Sequence, residues 1–231
     1  MNLKVKNALI SVSNKENLLS LLKILKKFNI NIISSGGTYT SIKKLGYQCT
    51  ELSKYTGFKE MLDGRVKTLH PKIHSGILYK RHKYSHKKII KKLKFESIDL
   101  VVTNFYPFEK IINQTKNHNK IIENIDIGGP TLVRAAAKNF NDVTVITNIE
   151  QYSELIDELQ KNKGSTSIEF RQKLSEEAFA ETAYYDSIIT NYFTSITKNI
   201  FPKRKFVHGN LIEKLRYGEN PHQLSAIYSQ N

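Results

Sequence analysis

The sequence predicts an α/β fold: a mostly parallel sheet with helices on both faces, followed by C-terminal helices. Three observations carry this prediction. Short apolar, β-branched runs alternate with stretches of helical periodicity, the pattern of strand–helix–strand units. The clearest run, residues 98–103, is apolar almost throughout, as a strand covered on both faces must be. The residues directly after several runs are small or polar, at the sheet edge where parallel folds bind ligands.

Composition bounds the function. The chain has 231 residues with 39% hydrophobic content, enough for one sizeable core. It contains no apolar run long enough to span a membrane. Its first residues, Met-Asn-Leu-Lys-Val-Lys, carry no apolar signal core, so a cytoplasmic location and no membrane partner are expected. A single cysteine, Cys49, excludes an internal disulfide and a multi-cysteine zinc site. The net charge of +15 invites a nucleic-acid reading. Lysine is spread over the whole length, however, and abundant Asn and Ile point to AT-rich codons. The one basic cluster, residues 80–94, reads as a solvated helix face with no aromatic platform or finger spacing, so no nucleic-acid partner is expected.

The first strand is predicted at residues 8–10. Ser13 and Glu16 after it form an S-x-x-E capping box, and Leu18, Leu21, Leu22, Leu25 and Phe28 follow at helical spacing. Such a helix N-terminus suits an anion, with Ser11, Ser13 and Lys15 around it, although an ordinary cap explains the pattern equally well. A second strand at 31–33 leads into Ser34-Ser35-Gly36-Gly37-Thr38, a donor-rich loop suited to phosphate, before a helix that stops at Gly46. This loop matches neither the dinucleotide fingerprint nor the P-loop.

In Asp63-Gly64-Arg65-Val66-Lys67-Thr68, Arg65 and Lys67 share a side if the segment is extended, so both cations and the Thr68 hydroxyl could meet one anion. An exposed basic turn is the competing reading. Pro71 is expected to keep a helix from running through, so His70 and His74 are not expected to form a metal pair.

The strand at 99–103 brings Thr103 and then Asn104 and Tyr106 to the carboxyl edge, with Asn104 and Tyr106 the candidates for chemistry. Asp126-Ile127-Gly128-Gly129-Pro130 opens a helix carrying Arg134 and Lys138 on one face, and Asp126 is placed to pair with one of them. A strand at 143–147 and two long helical patterns, 149–162 and 167–196, follow. Residues 201–205 read as a linker.

Six segments together resemble one family. They are SVSNK at 11–15, SSGGT at 34–38, GRVKTLHP at 64–71, NFYPF at 104–108, DIGGPTLVRAAAKN at 126–139 and LRYGENPHQ at 215–223. Their ordered set resembles the bifunctional purine-biosynthesis proteins that join IMP cyclohydrolase to AICAR transformylase. The resemblance implies a methylglyoxal-synthase-like core over 1–148, a helical extension over 149–200, and, over 201–231, a linker and the start of a transformylase domain. Arg216 and Tyr217 belong to that last piece. The rest of the transformylase is expected to be absent, so folate is expected only for the missing part and no other cofactor. Asn14 stands where an acidic residue is usual and Phe105 where Leu is common.

The implied reaction is ring closure of 5-formamidoimidazole-4-carboxamide ribonucleotide to IMP with loss of water, on a small-molecule nucleotide bound by a homodimer. The implied nucleotide shell is Ser11, Ser13, Asn14, Lys15, Ser35, Gly36, Gly37, Thr38, Arg65, Thr68, Thr103, Asn104, Ile127 and Gly128. Lys67 and Tyr106 are implied donors to the formyl oxygen. Lys138 is the implied proton donor and acceptor, with Asp126 paired to it. A methylglyoxal synthase and a non-catalytic nucleotide-binding module share the implied fold, but neither accounts for Lys67, Tyr106 and Lys138 together.

Overall fold

The computed structural model describes residues 2–62, 66–220 and 222–229. Its chain packing divides into two units, Met1–Thr182 and Ala183–Asn231.

The first unit is built on a five-stranded parallel sheet. In chain order its elements are β1 (Leu3–Lys4), β2 (Asn7–Val12), α1 (Leu18–Lys27), β3 (Asn31–Ser34), α2 (Gly36–Lys44), β4 (Thr50–Glu51), α3 (Leu52–Thr56), α4 (Pro71–Leu78), α5 (Tyr84–Lys92), β5 (Leu100–Asn104), α6 (Phe108–Gln114), α7 (His118–Glu123), α8 (Gly128–Lys138), β6 (Thr144–Ile146), α9 (Gln151–Lys161), β7 (Ser165–Thr166) and the first half of α10 (Ile168–Thr197). The strand order is β4-β3-β2-β5-β6, and β1 pairs antiparallel with β7 outside this sheet. All four predicted strands form, and the helices cover both faces. β2 and β5 are buried almost end to end, which is why their sequences are apolar without alternation. The core gathers Leu9, Ile10, Val101, Val102, Leu132 and Val145 under the leucines of α1.

The order of the strands fixes where a ligand can sit. From β2 the chain runs outward to β3 and β4, then returns to lay β5 on the other side of β2. Beyond the carboxyl ends of β2 and β5 the connections diverge and leave a crevice. The register pairs Ser11 with Thr103 and Val12 with Asn104, so the two post-strand loops leave this point side by side.

Two local readings are corrected. The capping box at Ser13 and Glu16 does not form, because α1 starts at Leu18 behind Asn17, whose φ is 56° and whose side chain makes no cap bond. The amides of Ser13 and Asn14 instead donate to the Asn104 side chain, a partner 91 and 90 residues away that a local pattern cannot reveal. Pro71 does not exclude a helix; it begins α4, whose first amide would be unpaired in any case. His70 is its N-cap, with Nδ1 accepting from the Lys72 amide at 3.1 Å.

The basic cluster is a solvated face only in part. α5 is exposed along its lysines, but Arg81 turns inward to Asp99 at 2.9 Å. Among the described residues no helix is long and apolar enough to cross a membrane.

The second unit takes the end of α10 and a hairpin of β8 (Asn210–Leu215) and β9 (Ser225–Ser229), paired antiparallel. Arg216 and the half-exposed Tyr217 sit at the end of β8, in the turn that Gly218 closes by donating to the Gln223 carbonyl at 2.8 Å.

Candidate active site

A cavity of about 630 Å³ lies at the carboxyl ends of β2, β3 and β5, roofed by the start of α8. Its size falls in the range of small-molecule sites. Three groups of side chains define it.

The first group surrounds the start of α2. Ser35 is the N-cap by position, but its side chain makes no cap bond, and its buried Oγ has no hydrogen-bond partner among the described residues. A buried hydroxyl without a partner is costly unless a ligand or water meets it. The glycines predicted as a loop are the first turn of this helix, with Gly36 at φ +53°. Here the lack of a side chain matters: a Cβ on Gly36 would stand 3.3 Å from Lys67 Nζ, and one on Gly37 would stand 3.9 Å from Lys15 Nζ. Two cations therefore flank the positive end of a helix, an arrangement that takes an anion such as phosphate.

The second group holds the loops in place. Thr38 Oγ1 exchanges two hydrogen bonds, both 3.0 Å, with the backbone of Val12. Thr103 Oγ1 donates to the Ser11 carbonyl at 2.6 Å. Asn104 accepts from the Ser13 and Asn14 amides and donates from Nδ2 to the Asn14 carbonyl. Thr38, Thr103 and Asn104 line the cavity, yet their polar atoms are spent on shaping it. Asn104, expected as a candidate for chemistry, is a clamp.

The third group combines a carboxylate, an ammonium and a phenol. Asp126 precedes α8, and its Oδ1 accepts from the Gly129 amide at 2.8 Å. Burial pushes its carboxyl above the usual range, against the pull of the Gly129, Tyr106 and Gly128 amides and of the Lys67 charge. Lys67 is itself held by Glu60 at 3.7 Å. Tyr106 is 40% exposed and lines the same wall, so its phenol is reachable from solvent. Gly129 has no space for a side chain, since a Cβ would come within 2.6 Å of Asp126 Oδ2, and a Cβ on Gly128 would collide with Thr68 Oγ1.

The structure thus brings Ser11, Ser13, Lys15, Ser35, Gly37, Thr38, Lys67, Thr68, Thr103, Asn104, Tyr106, Asp126, Ile127 and Gly128 around one cavity, with Gly36 beside it. Asn14 is exposed, and its Oδ1 closes a turn by accepting from the Glu16 amide. Arg65 lies outside the described residues. Lys138 is a correction. It is exposed at the last position of α8, while Asp126 stands before the first. At about 1.5 Å per residue the helix separates them by roughly 15 Å, far beyond an ion pair. The sequence reading missed Ile122, Glu123 and Ile125, which line the wall ahead of Asp126. Tracing the chain back from the helix start would have found them. Among the described residues no group of three or more His, Cys, Asp or Glu is placed to hold a metal ion, and His70 is used as a helix cap.

The model of the MGS-like domain matches residues 17–131, and that of the AICARFT/IMPCHase bienzyme matches residues 136–231. A relative from Bradyrhizobium diazoefficiens, named bifunctional purine biosynthesis protein PurH, is 44% identical over 98% of this chain and 43% of its own length. The chain belongs to the AICARFT/IMPCHase family. Members of this family with the same name from Oceanobacillus iheyensis and Clostridioides difficile are 46% and 44% identical, over 97% and 98% of this chain and 44% of each relative. The chain spans less than half the length of these curated relatives. A solved structure titled "Crystal structure of ForH" superposes with a TM-score of 0.73 at 28% identity, covering 82% of this chain and 99% of that one. The chain is an enzyme-family member on an MGS-like fold.

Proposed function

We propose that the cavity is an IMP cyclohydrolase site, closing 5-formamidoimidazole-4-carboxamide ribonucleotide to IMP. The observation that carries this reading is that one cavity joins an anion cradle at α2 to a carboxylate of raised pKa, with Lys67 reaching both. A phosphorylated substrate held at one end presents its reacting groups at the other.

The carboxamide nitrogen attacks the formyl carbon within the same molecule, so holding the right conformer supplies much of the rate. Asp126 takes the N–H proton as the new C–N bond forms; its raised pKa makes it a better base than an ordinary surface carboxylate. Lys67 and Tyr106 donate to the formyl oxygen as negative charge develops there. That oxygen takes up the proton and leaves as water as its C–O bond breaks, while the former formamide nitrogen gives up its own proton and forms the C=N bond of IMP. Ser13, Lys15, Ser35 and the α2 amides bind phosphate and ribose, Thr68 packs the Lys67 segment against Gly128, and Ile127 supplies an apolar wall for the ring. The reaction needs no redox or metal cofactor, and folate is required only by the transformylase step of the longer relatives.

The test is IMP formation from the formylated ribonucleotide by the purified chain, followed by absorbance. A folded chain that binds IMP and forms none would end this reading. Lys138→Ala is the control for the proton path. Unchanged kcat keeps the transfer on Asp126 and Tyr106; a fall of about 10² or more moves it to Lys138, delivered from outside this cavity.

A further inference from the structure

Glu123 ends α7 at the cavity wall and has no part in the chemistry above. We propose that its carboxylate recognises the ribose, accepting hydrogen bonds from the 2′- and 3′-hydroxyls and so selecting ribonucleotides over 2′-deoxyribonucleotides. The inference rests on the cyclohydrolase reading for the ligand being a nucleotide.

The cavity is rich in donors. Lys15, Lys67, Ser35 and the first turn of α2 suit a phosphate and a developing oxyanion. A ribose makes the opposite demand, because its vicinal hydroxyls are donors that need an acceptor. Three lining side chains carry acceptor oxygens strong enough to consider. Asn104 Oδ1 already takes two backbone amides. Asp126 faces the amides of Gly129, Tyr106 and Gly128 and the charge of Lys67, so a hydroxyl there would compete with the group proposed to move the proton. Glu123 is the third.

Placement agrees with chemistry. Glu123 stands three residues before Asp126, on the same wall. The sugar is one glycosidic bond from the reacting ring, so a ligand whose base meets Asp126 holds its ribose within the same cavity that Glu123 lines. A carboxylate has about four acceptor positions, enough for two hydroxyls beside any protein donor it also holds. Acidic side chains bind ribose hydroxyls in the same way in other nucleotide folds. Glu123 is exposed at the rim, so replacing it leaves the core untouched.

The test is calorimetric titration of the full chain with IMP and with 2′-deoxy-IMP, for the wild type, Glu123→Ala and Glu123→Gln. The wild type should prefer IMP by about 10–10²-fold, the value of a hydrogen bond to a charged group. Glu123→Ala should weaken IMP by a similar factor and leave 2′-deoxy-IMP unchanged, so the preference collapses towards one. Glu123→Gln, which keeps the side-chain shape, should fall between and carries the test if the alanine variant does not fold. In ring closure the variants should raise KM while kcat moves by less than about threefold, since ribose contacts are equal in ground and transition states. Equal affinity of the wild type for both nucleotides, or a preference that survives Glu123→Ala, overturns the proposal. If the preference is present and lost as expected but no IMP is made, ring closure fails and the ribose assignment stands. If the folded wild type binds neither nucleotide, both fall.

Discussion

Two carboxylates, Asp99 and Asp126, sit at opposite ends of the central strands and are held in opposite ways. Asp99 precedes β5 and is 3% exposed. Its Oδ2 accepts the Lys6 and Asn7 amides at 2.8 and 2.9 Å, and its Oδ1 meets Arg81 at 2.9 Å. Arg81 also donates to the Ile98 carbonyl and, from its own amide, to Asp142. Both oxygens of Asp99 are answered within the protein, and the result is a rivet between β2, β5 and the α4–α5 connection. Asp126, at the carboxyl end, faces backbone amides and the charge of Lys67, and burial raises its pKa. Burial that raises a carboxyl's pKa brings its proton exchange nearer to neutral pH. The same residue type is structural at one end and, in the proposed reaction, the base at the other.

The largest expected effect separates the two. Asp126→Asn should lower kcat for ring closure by about 10²–10⁴-fold, the usual worth of a general base. Its acid limb in the pH–rate profile should also vanish, and in the wild type that limb should stand above the ordinary carboxylate value. The sign for stability follows from the same shift. A carboxyl whose folded pKa is raised holds its proton more tightly when folded, so its contribution is fully present below the unfolded pKa and is lost as pH rises through the folded one. Melting curves should therefore show Asp126→Asn gaining on the wild type as pH rises across that window. A variant with normal kcat and an unmoved limb would make Asp126 another helix cap.

Asp99→Ala should do the reverse. Leaving Arg81 buried without its partner should cost about 3–5 kcal/mol in chemical denaturation. The fraction that remains folded should keep near-normal kcat. A stable Asp99→Ala chain would remove the structural half of the contrast.

The contrast was only half visible in the sequence. Parallel strands announced themselves because they are buried on both faces, and the segments that follow them had to converge at the switch between β2 and β5. Most of the lining was therefore legible once the strands were placed. What failed was every inference that needed a partner distant in the chain. Ser13 and Glu16 fit a capping box, but Asn104 claims the Ser13 amide. Arg81 looked like one more solvated cation until Asp99 was opposite it. Asp126 and Lys138 read as a pair because both flank one helix, whereas its length keeps them apart. Spacing along the sequence gives a side chain's face and its place on an element, not the group that answers its charge.

Lys67 sharpens the comparison within the cavity. It stands between the anion cradle and Asp126, and Glu60 holds it at 3.7 Å. Lys67→Ala should lower kcat by about 10²–10³-fold, as loss of an oxyanion donor does at comparable sites. Lys15→Ala, on the phosphate side only, should act mainly on KM. Equal effects of the two on KM with kcat intact would place Lys67 in the phosphate site alone.

The smallest effect is the most diagnostic for the anion cradle. Ser35 occupies an N-cap position, where replacing serine by alanine ordinarily costs about 0.5–2 kcal/mol because a cap bond is lost. Here the side chain makes no such bond, and its buried oxygen lacks a partner among the described residues. Removing it takes away an unsatisfied polar atom, so Ser35→Ala should melt at the wild-type temperature or slightly above it. Ligand binding should respond the other way. If the hydroxyl is completed by an anionic oxygen, its loss should weaken IMP by about 10-fold, the lower end for a hydrogen bond to a charged group. Thermal melts with and without IMP read both at once: the free proteins should coincide, and the shift produced by IMP should shrink in the variant. A lowered melting temperature with an undiminished shift would mean that Ser35 caps α2 after all, and the start of that helix would lose its claim to the phosphate.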